Sequence, residues 1–546
     1  MATRRTFKTE EVRVENAAFS PLKSIVETSF YGNNVTAVEN LADAYQLAHD
    51  NPHTIVLEQE VAHAEELGLP LGAKVLVDNG SSIVGRTARA RRIFGKDKAE
   101  DEKLIKIAMD AVYDGSYDSF IKGEAVVGLD VSFMARAHLM IPEKYANNLY
   151  SWLVNFQIMN DEYRKIYDCS VEYEENDIYI YEDPDWSHED YPDGLAFFDT
   201  YHNVAIILGL QYFGELKKGT LTLAWGTAAR QGYVVSHGGL KEFTTDAGEK
   251  HVASFYGLSG SGKSTLTHAK HDGKYDISVL HDDAFIIDAE SGESIALEPS
   301  YFDKTNDYPA GHPEQDYFVT VQNCGITLDQ KGNRVLLAED VRNGNGRTVK
   351  SKFSTPNRVD IVESPINSIY WIMKDETLPP IVRIKDPTLA SALGCTLVTT
   401  RTSAENVKNV GEVVVEPYAN PFRVYPLVDD YQAFKKLFEN GVECYIINTG
   451  KFLGNDITPG VTLNIIEQNV DKEAEFVPFG PISELEYVEI DGYEVPFDDE
   501  KYLERLRDNM LTRVDHLNKS LSVSEAPNKL PDEIANSIEN IANQIG

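Results

Sequence analysis

Apolar residues recur along this chain in two periods. Leu41, Ala44 and Leu47 fall three apart within residues 38–50, which predicts an amphipathic helix. Val75-Leu-Val77 and Ile83-Val84 read as strand material broken by Asn79-Gly80. Short apolar runs separated by glycine and polar breaks fill residues 221–255, and Ile381-Val382 and Tyr445-Ile-Ile447 have the composition of buried strands. Leu503, Leu506, Met510, Val514 and Leu517 return to helical spacing and predict one apolar face. The tail beyond Ser520 is mostly polar and is expected to pack loosely. Residues 172–193 are crowded with carboxylates, tyrosines and prolines and read as a surface excursion. Their carboxylates lack the regular spacing of a calcium loop. The alternation of helix and strand predicts an α/β fold. A chain of 546 residues exceeds one ordinary core, so two lobes are expected, 1–235 and 236–546.

One segment carries an explicit chemistry. Gly257-Leu258-Ser259-Gly260-Ser261-Gly262-Lys263-Ser264 fits the phosphate-binding pattern G-x-x-x-x-G-K-[ST] at every fixed position. Its glycines let backbone N–H groups wrap phosphates, Lys263 reaches the terminal phosphates, and the Ser264 hydroxyl is suited to ligate Mg²⁺. The apolar stretch His251–Tyr256 before it and Thr265–Lys270 after it supply the strand and helix that such a loop requires. The C-terminal lobe is therefore the nucleotide lobe, with its P-loop at 257–264. The run Ile277–Leu280 leads through His281 to Asp282-Asp283, placing a carboxylate at a strand tip for Mg²⁺ or a second metal. Spacing alone does not say which aspartate serves.

Net charge narrows the partners. At -36 the chain would be repelled by nucleic acid and by an anionic membrane. Arg86, Arg89, Arg91 and Arg92 form a cationic cluster against that background. Cys169, Cys324, Cys395 and Cys444 are far apart and indicate neither zinc site nor disulfide framework. The first residues lack the apolar core of a secretory signal, and no stretch approaches membrane-spanning length, so the expected location is the cytoplasm. Oligomeric state is not legible. Lys217 and Lys218 within Tyr212–Gly219, and His237 within Val234–Gly239, are weak signals alone, since most lysine pairs are exposed and most single histidines are not ligands.

Taken together, these segments resemble the ATP-dependent phosphoenolpyruvate carboxykinase family. Gly85-Arg86-Thr87 is similar to its N-terminal arginine motif, Tyr212–Gly219 to its Y-x-G-E-x-K-K-G motif, Ser236-His237 to its histidine, Gly257–Thr265 to its phosphate loop and Asp282-Asp283 to its metal-binding pair. Tyr301–Thr305, Asn357-Arg358-Val359, Leu378-Pro-Pro380 and Asn448-Thr-Gly450 follow in the expected order. The phosphate loop lacks the cysteine of the GTP-dependent relatives.

The resemblance implies conversion of oxaloacetate and ATP to phosphoenolpyruvate, CO₂ and ADP, with a two-lobed architecture whose N-terminal lobe binds substrate. It implies that Lys218, His237 and Asp283 hold Mn²⁺, while Ser264 and phosphate oxygens hold Mg²⁺. Lys218 then binds as the neutral amine. Arg86 and Arg358 grip the diacid carboxylates, with Tyr212 beside them. Lys263, Lys217 and Lys304 neutralise charge on the transferred phosphoryl group. The chain departs from the family pattern in Ala284, where an acidic residue is usual, in Gly238-Gly239, where cysteine and serine are usual, and across residues 396–422, the region that holds adenine. Two alternatives share the phosphate loop. A kinase of another small acid or a protein would not need Arg86, Tyr212 and Arg358 together, and a non-catalytic nucleotide-binding regulator would dispense with Lys218 or His237.

Overall fold

The computed structural model describes residues 9–11, 20–80, 87–258, 260–337, 346–400, 413–518 and 530–545. The fold is mixed α/β and divides into two compact units. The first comprises residues 1–227, 297–356 and 403–407, and the second 228–296, 357–402 and 408–546. Among the described residues no helix is long and apolar enough to cross a membrane.

The first unit holds two larger sheets and, among its described residues, a two-stranded one of Ile326–Leu328 and Arg334–Leu336. In the larger, seven strands run in the order Val35–Ala37, Phe120–Asp130, Phe133–Pro142, Ile178–Asp183, Val204–Leu208, Leu195–Asp199 and Arg91–Ile93, and Gln157–Ile158 pairs beside them. Val204–Leu208 and Leu195–Asp199 are buried along their whole length, as strands covered on both faces must be. Leu22 and Val26 of the helix Pro21–Ser29, with Leu104, Ile107 and Ala108 of Lys98–Gly115, pack on Tyr181, Phe197 and Ile206. The expected surface excursion is overturned in part. Ile178–Asp183 is an interior strand, and Glu182 is wholly enclosed, its carboxyl driven well above the usual range by burial. The second sheet orders Tyr301–Lys304, Arg347–Lys350, Phe318–Gln322, Lys74–Asp78 and Ile55–Glu60. The expected helix is Leu41–Asp50, begun by Asn40, whose side chain accepts from the Asp43 N–H.

The second unit is built on eight strands in the order Asp276–His281, Gly239–Thr244, Lys250–Tyr256, Ser368–Met373, Glu443–Asn448, Ile381–Ile384, Ile482–Val488 and Phe476–Phe479. Lys250–Tyr256, Ser368–Met373 and Glu443–Asn448 are parallel neighbours. Their register aligns Phe255, Tyr370 and Tyr445, whose rings stack at 5.2 and 5.0 Å. The helix Pro459–Val470 covers this ladder with Ile465, Ile466 and Val470. A smaller sheet orders Tyr233–His237, Ala284–Asp288, Ser294–Ala296 and Ile361–Val362. Near the C-terminus, Glu500–His516 buries Tyr502, Leu506, Met510 and Val514. The polar tail is not loose throughout: Asp532–Gln544 is a helix that buries Ile534, Ile538 and Ile541 and packs on Glu500–His516.

Candidate active site

Sheet direction gathers the second unit's chemistry. Asp276–His281 runs antiparallel to Gly239–Thr244, which runs antiparallel to Lys250–Tyr256. The chain therefore leaves Tyr256, His281, Met373 and Asn448 at the same end of one sheet.

The phosphate loop follows Tyr256. Gly262, at φ 100°, caps the helix Lys263–His268 in the left-handed region, which explains glycine there. The Ser261 N–H donates to the Leu258 carbonyl at 3.0 Å, and the Thr449 hydroxyl donates to the Ser261 carbonyl at 2.8 Å, so the neighbouring strand end braces the loop. Lys374 Nζ reaches the Gly260 carbonyl at 3.4 Å. Ser264 and Thr265 are exposed and Lys263 is half-buried, open to a ligand, while Leu258 and Ser261 are buried. Gly257 begins the loop; Ser259 lies outside the described residues. Asn448 holds the adjoining turn by donating to the carbonyls of Asp375, Leu378 and Lys451.

The two aspartates diverge. His281 Nδ1 accepts from the backbone N–H groups of Asp283, at 3.0 Å, and Ala284, at 3.2 Å, which fixes the turn. Asp282 Oδ2 lies 3.3 Å from His268 Nε2 at the end of the loop helix. Burial raises the Asp282 pKa, but the His268 hydrogen bond and nearby positive charge, Lys263 included, outweigh it and hold the carboxyl well below its ordinary value. Asp283 turns instead to His237, whose Nε2 is 3.1 Å from Asp283 Oδ1. The other nitrogen, Nδ1, hydrogen-bonds the Ala419 carbonyl. Nδ1 must be the donor there, so Nε2 of the neutral ring presents a lone pair to a carboxylate. Two like-facing acceptors at that distance need a proton or a cation between them. Ligand atoms about 2.1 Å from a cation at right angles are about 3.0 Å apart, so the pair suits a cation of octahedral habit. Tyr418 and Ala419, both at positive φ without being glycine, present that carbonyl in a strained backbone. Among the described residues no group of three His, Cys, Asp or Glu side chains is placed to hold a metal.

Arg358 lies beside the strand leading to this turn, since Val279 exchanges hydrogen bonds with Asn357 and Val359. Its side chain is enclosed and pairs with Asp360 at 2.7 Å. The first unit carries the remaining candidates. Tyr212 is buried just before the helix Phe213–Arg230. On that helix, Lys218 Nζ lies 5.7 Å from the Trp225 ring centre. Lys217 is wholly enclosed, its charge met by Glu298 at 2.8 Å, and Asn155 donates to the same carboxylate at 2.6 Å. Lys304 ends the strand Tyr301–Lys304. Arg86 and residues 401–412 lie outside the described residues.

Sequence reading passed over Lys241. It is buried behind the phosphate-loop helix and donates to the carbonyls of Leu266, at 2.6 Å, and Ala269, at 3.2 Å. It also meets His271 Nε2 at 2.9 Å, and His271 Nδ1 meets Glu467 at 2.8 Å. Burial pushes the Lys241 pKa down to about 7 against the pull of Glu467. The sequence carried no local signal for it, since Leu240-Lys241-Glu242-Phe243 sets the lysine beside another charged residue, as on an exposed strand edge.

The profile of the phosphoenolpyruvate carboxykinase family, in its ATP-dependent form, matches residues 48–478. This chain belongs to that family. A phosphoenolpyruvate carboxykinase (ATP) of Aeropyrum pernix is 26% identical over 325 residues, which cover 56% of this chain and 64% of that protein. One of Dictyostelium discoideum is 22% identical over 278 residues, 47% of each chain. A glycosomal one of Trypanosoma brucei brucei is 40% identical over 63 residues, 11% of this chain and 12% of the relative. The matched part thus spans less than two thirds of each relative's length. Both nearby departures from the family pattern have local causes. Ala284 is wholly buried opposite His237 in strand register, where a carboxylate would be enclosed. A Cβ on Gly239 would lie 1.9 Å from Thr267 Oγ1 of the loop helix, so glycine there permits the close packing of helix on strand.

Proposed function

We propose that this protein converts oxaloacetate and ATP to phosphoenolpyruvate, CO₂ and ADP. The observation that carries this reading is that the phosphate loop and Asp282-Asp283 leave one end of one sheet, where His268 of the loop helix meets Asp282 and His237 of the smaller sheet meets Asp283, in a member of this family.

In this reading the phosphates of ATP lie along the backbone of residues 257–264, and Lys263 neutralises the γ-phosphate. Arg86 and Arg358 hold the carboxylates of oxaloacetate, with Tyr212 beside them. The carbon–carbon bond to the departing CO₂ breaks and its electron pair becomes an enolate. The enolate oxygen bonds the γ-phosphorus as the bond to ADP breaks. Lys304 faces the charge that spreads over the transferred group. Lys217, held by Glu298, acts by fixing the helix turn that carries Lys218.

The donor set fits divalent cations. The His237 imidazole, the Asp283 carboxylate and a neutral Lys218 amine suit Mn²⁺, and the Ser264 hydroxyl with phosphate oxygens suits Mg²⁺. Such cations supply positive charge where negative charge develops on oxygen. Lys218 belongs to the first unit, and its membership of the set rests on the family pattern.

The test is direct. Purified protein is mixed with oxaloacetate, ATP, Mg²⁺ and Mn²⁺, and phosphoenolpyruvate is followed. Phosphoenolpyruvate formed in step with ADP supports the reading. Transfer from ATP to another acceptor, without phosphoenolpyruvate, replaces it with a kinase.

A further inference from the structure

The helix Lys263–His268 has six residues, so the carbonyls of its last turn find no partner within it. Lys241 reaches that end from the neighbouring strand Gly239–Thr244, donating to the carbonyls of Leu266 and Ala269. Gly239, two residues earlier on the same face of the strand, meets Thr267 of the helix, so one strand sets the helix at two points. The third contact of Lys241 is His271 Nε2. Three acceptors match the three N–H groups of an ammonium, and the rings of Phe243 and Phe255 close round it at 4.7 and 5.8 Å. Among the described residues no carboxylate pairs with Lys241 directly. Its charge is balanced through the imidazole, whose Nδ1 meets Glu467 on the helix Pro459–Val470. His271 and Asp272 hold φ of 50° and 51° without being glycine, a strained turn that aims the ring between lysine and carboxylate.

This geometry allows one proton two places. With the charge on Lys241, His271 is neutral, accepts at Nε2 and donates from Nδ1 to Glu467. With the charge on His271, both ring nitrogens donate, and the neutral amine keeps its two N–H groups for the helix carbonyls. Loss of that proton sets two lone pairs against each other across 2.9 Å, and either the imidazole or a helix carbonyl is released. Burial brings the Lys241 pKa down to about 7 against the pull of Glu467, and burial with the Lys241 charge lowers that of His271. The shared charge is therefore present at acid pH and lost as pH rises through neutrality. Lys241 and His271 are enclosed, whereas the Glu467 side chain is 24% exposed, so the counter-ion touches water. The other titratable groups around the pair are Lys274 and Asp471, 2.5 Å apart beside Glu467, Tyr275, which donates to Asp471 at 3.0 Å, and His251 across the Phe243 ring at 6.3 Å. Glu242, next in the strand, is held by Lys250 at 3.0 Å on the other face.

We propose that Lys241 is a positioning residue for the nucleotide: the charge that it shares with His271, balanced by Glu467, holds the phosphate-loop helix where Lys263 and Ser264 meet ATP. This rests on the reading of residues 257–264 as the ATP site. Mg·ADP, which binds without turnover, is titrated calorimetrically from about pH 5.5 to 9 against the full-length wild type, Glu467→Gln and Lys241→Met. Ratios to the wild type at each pH cancel the ionisation of the ligand itself. Glu467→Gln touches no residue of the loop helix and still accepts from His271 Nδ1, so only the balancing charge is removed. Its affinity is expected to match the wild type at both ends of the range and to be about threefold weaker near neutrality, because the midpoint moves down by about one pH unit. Lys241→Met is weaker at acid pH by about tenfold or more and approaches the wild type as pH rises. A merely structural lysine would give a loss of the same size at every pH. Parallel profiles for wild type and Glu467→Gln, or a lowered melting temperature with unchanged Mg·ADP affinity, overturn the proposal. Should Lys241→Met fail to fold, the midpoint of Glu467→Gln decides. A wild type that binds no Mg·ADP removes the nucleotide reading and this role together; binding with parallel profiles removes the role and keeps the reading.

Discussion

His237 Nε2 faces Asp283 Oδ1 at 3.1 Å while its Nδ1 is committed to the Ala419 carbonyl. The pair is preset for a cation, whereas Asp282 is engaged by His268. The two aspartates therefore separate in their effects. His237→Ala and Asp283→Asn are expected to weaken Mn²⁺ binding by more than about tenfold, and Asp282→Asn to spare it. Electron paramagnetic resonance of bound Mn²⁺ reads this without turnover. Equal loss in Asp282→Asn and Asp283→Asn would remove the assignment.

Lys263 is half-buried at the opening of the loop helix, where no backbone group can replace its charge. Lys263→Ala is expected to cut phosphoryl transfer by about 10³ or more with an unchanged melting curve. Near-normal turnover in a folded variant would contradict the nucleotide role.

Lys217 and Glu298 are each wholly enclosed, at 0% side-chain exposure. Removing one partner leaves a buried charge uncompensated, so Glu298→Gln is expected to lose about 3–5 kcal/mol. Adding Lys217→Met should return most of that loss. Thermal melts of the single and double variants check it, and a single variant as stable as the wild type would show that Glu298 does not neutralise Lys217.

The loop at 257–264 was legible because its glycines, lysine and serine are fixed by the ligand, and its flanking strand and helix by short-range pattern. The turn at Asp282-Asp283 was legible for the same reason, but its division of labour depends on His268 and His237, which only the sheet brings near. Ile178–Asp183 was misread because its tyrosines and acids look like surface. Enclosure is possible there because neighbouring strands and the Asn148 amide supply partners. Ile534, Ile538 and Ile541 did carry helical spacing, diluted by polar neighbours. The pairing of the first unit's second sheet had no local signal at all. Phe318–Gln322 pairs in parallel with Lys74–Asp78, and nothing in the periodicity of a strand names so distant a partner.

His251 lies on the strand that leads into the phosphate loop, with Nε2 2.8 Å from the Ser368 hydroxyl. Burial, helped by the charge of Lys472, pushes its pKa from 6.5 down to about 4. The unfolded chain therefore binds a proton between pH 6.5 and 4 that the folded chain refuses, so this contribution to stability is present above pH 6.5 and lost as pH falls through 4. The slope for one proton is at most about 1.4 kcal/mol per pH unit. His251→Gln should flatten the acid limb of stability in that window. Parallel pH profiles for the two proteins would rule it out.

Gly239 is the position at which the sheet meets the loop helix. Its strand register partner is Phe255, two residues before Gly257, and a Cβ would approach Thr267 Oγ1 to 1.9 Å, Thr267 Cβ to 3.0 Å and Thr267 Cγ2 to 3.2 Å. Thr267 cannot rotate away cheaply, because it is β-branched and its hydroxyl already donates to the Lys263 carbonyl at 3.0 Å. Gly239→Ala must then push the helix off the sheet, and with it Lys263 and Ser264. The expected result is weaker Mg·ATP binding, by about tenfold or more, together with a destabilisation of about 1–3 kcal/mol from overpacking. Thr267→Ala removes the two outer atoms and leaves only the tight Cβ contact, so the double variant should regain much of both. Titration of Mg·ATP and melting curves for the two single variants and the double supply a cycle whose interaction energy reports the contact. Additive losses would mean that Gly239 is required for some reason other than Thr267, and that the helix position is set elsewhere.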